Sequence, residues 1–108
     1  MFDCLHDLGD PVGAARRVRE ALRPDGTWLL VEPNAPDDVE GTFSTVGRLY
    51  YNGSTFLCVP NALSQPGGVA LGAQAGETAI RQVVQEAGFT RFRRVAGSPF
   101  NLVYEISL

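Results

Sequence analysis

The chain has no lysine. All nine of its basic residues are arginine, against twelve acids, for a formal net charge of −3. An acidic balance without a basic tract excludes a general nucleic-acid binder that works by phosphate neutralisation. Histidine, methionine and tryptophan occur once each. The two cysteines, Cys4 and Cys58, are too few for a disulfide framework and read as reduced thiols, which suits a cytoplasmic setting. With no CxxC or HxxxH spacing, and only Cys4 and His6 close in sequence, no metal site is expected. No apolar run approaches the length of a membrane span. The first residues carry Asp3 and Asp7 and no basic residue, so they do not read as a signal peptide. What remains is ordinary globular material: 108 residues, 44% hydrophobic and 19% charged, enough for one domain with one modest core.

Periodicity divides the chain into elements. Asp10 is a good N-cap, and Pro11 suits the first helical position. Val12, Ala15, Val18 and Leu22 then share a helix face, and Pro24-Asp25-Gly26 ends it. Thr27 to Glu32 reads as a strand stopped by Pro33. It does not alternate, so both its faces are expected to be covered, as in a parallel strand between helices. Helical segments are expected around 39–51 and 54–63, interrupted by Gly53 and Pro60. Residues 65–68 form a loop. Residues 78–87 read as a helix, with Ile80, Val83, Val84 and Ala87 on one face, a Glu77–Arg81 pair, and Gly88 just past its end. Residues 90–95 and 102–108 read as strands joined by Gly97-Ser98-Pro99, with Phe92, Tyr104 and Ile106 pointing inward. Two strands so close cannot be joined by a helical crossover, so they are expected to be antiparallel neighbours. The class is α/β, and a sheet of this kind wants more strands than the three visible.

Two sequence runs carry a family resemblance. Phe2-Asp3-Cys4-Leu5-His6-Asp7 is followed, after a helix, by Leu22-Arg23-Pro24-Asp25-Gly26-Thr27-Trp28-Leu29-Leu30-Val31-Glu32-Pro33. Together they resemble the region from strand 4 to strand 5 of class I S-adenosylmethionine-dependent methyltransferases. Glu86-Ala87-Gly88-Phe89-Thr90 resembles the family's "EAGF" before strand 6. His6-Asp7 is similar to the "HDW" turn of small-molecule O-methyltransferases that carry a winged-helix dimerisation domain, with Leu8 in place of the Trp. The resemblance implies a partial Rossmann-like sheet with flanking helices: a strand-4 stub, strand 5, and strands 6 and 7, with strand 7 antiparallel and inserted between 5 and 6. Residues 1–108 would then be a single unit, the C-terminal half of a methyltransferase catalytic domain.

The resemblance also implies roles. His6 would be the base that deprotonates an acceptor hydroxyl, Glu32 would orient it, and Asp7 would stand beside it. The second orienting carboxylate of the family would fall near Gln74 or Glu77, and a gapless alignment prefers Gln74. Asp3 and Cys4 would lie along the methionine part of the cofactor, S-adenosylmethionine. Tyr50, Tyr51 and Phe56 lie in the segment that covers the small-molecule substrate. The strand followed by a GxGxG turn that holds the cofactor has no counterpart here: Gly67-Gly68 follows a loop, and Gly72-x-x-x-Gly76 has no strand before it. The chain alone is therefore expected to be inactive. The alternative reading is a non-catalytic oligomerising module. Either way the missing strands are expected to leave an apolar sheet edge, which predicts a homodimer. Neither a membrane nor a nucleic-acid partner is expected.

Overall fold

A computed structural model describes all 108 residues. Three strands, β1 (Thr27–Pro33), β2 (Arg91–Gly97) and β3 (Asn101–Ser107), form one sheet in the order β1-β3-β2. β3 runs antiparallel to both neighbours, so β1 and β2 run in the same direction. The N-terminal residues add to the free edge of β1. Phe2 bridges Val31 in the parallel sense. The Val31 N–H donates to the Met1 carbonyl at 2.9 Å, and the Asp3 N–H donates to the Val31 carbonyl at 2.8 Å.

Helix α1 (Pro11–Ala21) begins as its sequence dictates. The Asp10 carboxylate accepts the Gly13 N–H at 2.8 Å, and Pro11 occupies the first turn, where its missing N–H is not needed. Helix α4 (Gly76–Glu86) buries Ile80, Val83 and Val84. It stops at Gly88, whose φ of +95° is the left-handed conformation that glycine adopts without strain. The Arg19 guanidinium donates to the Gly88 carbonyl and ties the end of α1 to the end of α4.

These two helices cover one face of the sheet. Trp28 and Leu30 of β1 and Leu102, Tyr104 and Ile106 of β3 are buried with Leu5, Ala15, Val84 and Phe89 in a single core. The turn before β3 is built by Ser98, whose hydroxyl accepts the N–H groups of Phe100 and Asn101.

Two expectations need correction. β1 is covered on one face only. Its burial alternates, and Leu29 is 45% exposed. The apolar run was continuous, but α1 and α4 both lie on the Trp28–Leu30 side, and the alternating burial leaves the other side open. Gly53 and Pro60, expected to interrupt, do not. α2 (Thr45–Gly53) continues through a π-helical stretch, Ser54–Cys58, into α3 (Val59–Leu63). Pro60 falls in the first turn of α3, and the wider π turn before it gives its ring the room that an α turn denies. No helix is long and apolar enough to cross a membrane.

Candidate functional site

The site forms where the N-terminal segment leaves the edge of β1. Glu32, near the carboxyl end of β1, points into the covered face and is 1% exposed. A carboxylate this deep is tolerable only if every lone pair has a partner. Its Oε1 accepts the N–H of Leu5 at 2.9 Å and that of Cys4 at 3.3 Å. Its Oε2 lies 2.6 Å from His6 Nδ1. One side chain thereby holds the short 3₁₀ turn Leu5–Asp7 and the imidazole at once.

His6 is 4% exposed. Burial pulls its pKa down, but the Glu32 hydrogen bond and the charges of Glu32, Asp7 and Asp3 outweigh it, and the net shift is upward. With Nδ1–H donating to Glu32, the remaining nitrogen, Nε2, faces Asp7 Oδ1 at 3.4 Å. That oxygen is buried and has no hydrogen-bond partner. The Asp7 carbonyl accepts from the side-chain amides of Gln65, at 2.9 Å, and Asn61, at 3.3 Å, which pin the turn from α3 and its following loop.

Asp3 has a φ of 45°, in the left-handed region that Asp tolerates better than most residues. Its carboxylate accepts from Asn101 Nδ2 at 2.6 Å, and the same amide reaches the Glu32 carbonyl at 3.4 Å. Burial, then the nearby Glu32 charge, raises the Asp3 pKa. Burial, then Asp3, raises that of Tyr50, whose hydroxyl donates to the Phe100 carbonyl. Cys58, at the end of the π stretch, also converges on the turn. Donor atoms of His6, Asp7 and Cys58 all lie within 4.8 Å of one another. Burial, then Asp7, pushes the Cys58 thiol up to about 11.

The residues singled out in the sequence are thus partly assembled. His6, Asp7, Glu32 and Asp3 share one cluster, and Cys4 contributes its backbone N–H. Tyr50 reaches the margin near Asp3. Tyr51 and Phe56 point outward, the latter 80% exposed. Neither Gln74 nor Glu77 hydrogen-bonds to His6. Gln74 donates to the Gly47 carbonyl, and Glu77 pairs with Arg81 at 2.8 Å. Gln65 and Cys58 carry no sequence signal, because each reaches the site from a distant element. The only hint at Asn101 is its place directly after the turn that starts β3. The chain matches no family model, and no curated protein matches it.

Proposed function

We propose that the chain is the C-terminal half of a class I S-adenosylmethionine-dependent methyltransferase of the small-molecule O-methyltransferase type, and that it supplies the base. The observation that carries this reading is the buried His6–Glu32 pair at the carboxyl ends of two parallel-running segments, where ligands of open α/β sheets bind. A carboxylate on Nδ1 fixes the tautomer that leaves Nε2 free to accept a hydroxyl proton, and stabilises the imidazolium that results. The sheet supports the reading as well. A reversed strand between two parallel ones, with a parallel stub beyond β1, is the order the resemblance implies for strands 4, 5, 7 and 6. Tyr51 and Phe56 would offer aromatic surface to a small acceptor.

The residues present do not fit the cofactor. The positive-φ glycines 67, 68 and 72 lie in the loop before α4 and Gly76 is its first residue, so none follows a strand, and the Asp3 carboxylate is already engaged by Asn101. No methyl-transfer step is therefore assigned to this chain by itself. It is expected to bind S-adenosylmethionine no tighter than about millimolar, because a loop cannot fix sulfonium, ribose and adenine together. Calorimetric titration with S-adenosylmethionine, and observation of the single imidazole by NMR during titration with small phenols, test the two halves of the reading. Phenols should perturb Nε2 and leave the Nδ1 hydrogen bond in place. Micromolar one-to-one cofactor binding, lost in His6→Ala and Asp3→Asn, would overturn the inactive-alone reading. A His6 signal indifferent to every phenol would overturn the base.

One observation favours a second reading, an oligomerising module. Register places Phe2, Val31, Val103 and Ala96 in one row across the uncovered face, and Phe2 is 67% exposed. A homodimer through this face and the stub edge would bury that row. Light scattering on the eluting protein decides: a stable monomer at micromolar concentration contradicts it.

A further inference from the structure

His6, Asp7 and Cys58 lie far from any metal motif in sequence, yet three features of their geometry are those of a metal site. The 3.4 Å between His6 Nε2 and Asp7 Oδ1 is the separation that two ligands on one tetrahedral ion adopt, about 3.4 Å for nitrogen and oxygen each about 2.1 Å from the metal. With Nδ1–H given to Glu32, neutral His6 turns the lone pair of Nε2 toward the buried Asp7 oxygen, and the one further group at that carboxylate is the Cys58 thiol, so a cation that displaces the thiol proton would meet three lone pairs. The other imidazole nitrogen is held by a buried carboxylate, the carboxylate–histidine arrangement that orients metal-bound imidazoles. Cys58 closes the third side. It is buried, ends a π-helical stretch, and sits where that extra residue per turn turns its side chain toward the Leu5–Asp7 loop.

We propose that His6 Nε2, Asp7 Oδ1 and Cys58 Sγ bind a divalent ion of zinc's class, with the fourth position open. An imidazole, a carboxylate and a thiolate are a borderline-soft donor set, which favours zinc or cobalt over magnesium or calcium. On binding, three metal–ligand bonds form, the Cys58 S–H bond breaks, and its proton leaves to solvent. Asp7, whose side chain is 31% exposed, gives the ion its way in. The proposal is independent of the methyltransferase reading and needs neither cofactor nor acceptor. Where both hold, they exclude each other at Nε2, so the metal would switch the base off.

Cobalt(II) titrated into the purified chain under reducing conditions is the test, with zinc as competitor. The expected result is one-to-one binding with the intense visible bands of a tetrahedral site and a thiolate-to-cobalt charge-transfer band, both removed by zinc. Cys58→Ser should abolish the charge-transfer band and weaken zinc at least tenfold, and Asp7→Asn should weaken it by a similar factor. Cys4→Ser should change neither. Glu32→Gln, which disturbs only the support of the imidazole, should cost about 10–100-fold in affinity. Circular dichroism checks that each variant folds. If Cys58→Ser does not fold, the wild-type imidazole decides, because zinc must shift Nε2 and not Nδ1. A pale octahedral spectrum without charge transfer, a band that survives Cys58→Ser, or an unmoved Nε2 would each overturn the site.

Discussion

The two faces of the sheet are made from alternate residues of the same strands, and they live under different rules. On the covered face Trp28, Leu30, Leu102, Tyr104 and Ile106 pack against α1 and α4, and even Glu32 is buried, because each of its oxygens is engaged. On the uncovered face Leu29 and Phe2 stay in solvent beside an ion pair, Arg93 with Glu105 at 2.8 Å. The difference shows where the site gets its rigidity. A sheet must bury at least one face to be stable. Here that same face also holds the His6–Glu32 pair, so packing and chemistry are coupled there and absent on the other side. The largest break of this contrast should come from Glu32→Ala. It leaves two N–H groups and an imidazole in a buried site without their acceptor, and should cost about 3–5 kcal/mol in urea unfolding. A cost as small as that of Leu29→Ala would show that water replaces the carboxylate freely and that Glu32 is not a buried clamp.

The next comparison uses neighbours in β1. Leu30 is fully buried and Leu29 is 45% exposed. Leu30→Ala should cost about 2–5 kcal/mol, the lost transfer energy plus the cavity left behind. Leu29→Ala should stay within about 1 kcal/mol. Equal costs, measured by the same denaturant titration, would mean that the outer face is covered in solution, as the oligomer reading requires. Repeating the Leu29→Ala measurement at several protein concentrations separates the two cases, because only an associating protein shows a concentration-dependent midpoint.

A third test uses pH. Burial, then the Glu77 charge, raises Tyr104 from its ordinary value near 10 to about 12. The unfolded chain therefore loses its phenolic proton first, and above pH 10 the folded state holds more protons. Stability must fall as pH rises between about 10 and 12. Cys58 acts in the same sense from its ordinary 9 up to about 11, so the decline begins earlier. Tyr104→Phe should flatten the upper part of this decline and leave the lower part in place. An unchanged slope above pH 10 would show that the Tyr104 hydroxyl ionises as freely in the fold as in solvent.

Much of this was legible in the sequence where cause and effect are local. Asp10-Pro11 starts α1, Gly88 ends α4, and Gly97-Ser98-Pro99 turns β2 into β3, because caps and turns act over three or four residues. The antiparallel pairing of β2 and β3 followed from the shortness of their connection. The pairing of His6 with Glu32 was expected only through family resemblance, and the structure brings the two side chains together across 26 positions. Three things were not legible. Whether β1 is covered on one side or two depends on where distant helices pack, and a continuous apolar run is silent on that. The passage of a helix through Pro60 depends on a π turn that no periodicity announces. Cys58 reaches the Leu5–Asp7 turn, and Asn101 reaches Asp3 and the Glu32 carbonyl, only through tertiary folding, from positions with no motif around them.

The smallest effect concerns the ion pair of the uncovered face. Arg93 and Glu105 stand opposite each other in the β2–β3 register, with side chains 71% and 43% exposed. Water screens such a pair, and holding two long side chains in one geometry costs entropy, so its net worth should lie between 0 and about 1 kcal/mol. A double-mutant cycle with Arg93→Ala and Glu105→Ala measures it, and added salt should reduce the coupling further. The value of the experiment lies in the contrast with Glu32. Both pairs join a carboxylate to a nitrogen at under 3 Å, 2.6 Å for Glu32 with His6 and 2.8 Å for Glu105 with Arg93. If burial and full hydrogen bonding set the strength, the two must differ several-fold, and only the exposed one should respond to salt. A strong, salt-resistant Arg93–Glu105 coupling would mean that solvent does not reach this face, and that a second surface lies against it in solution.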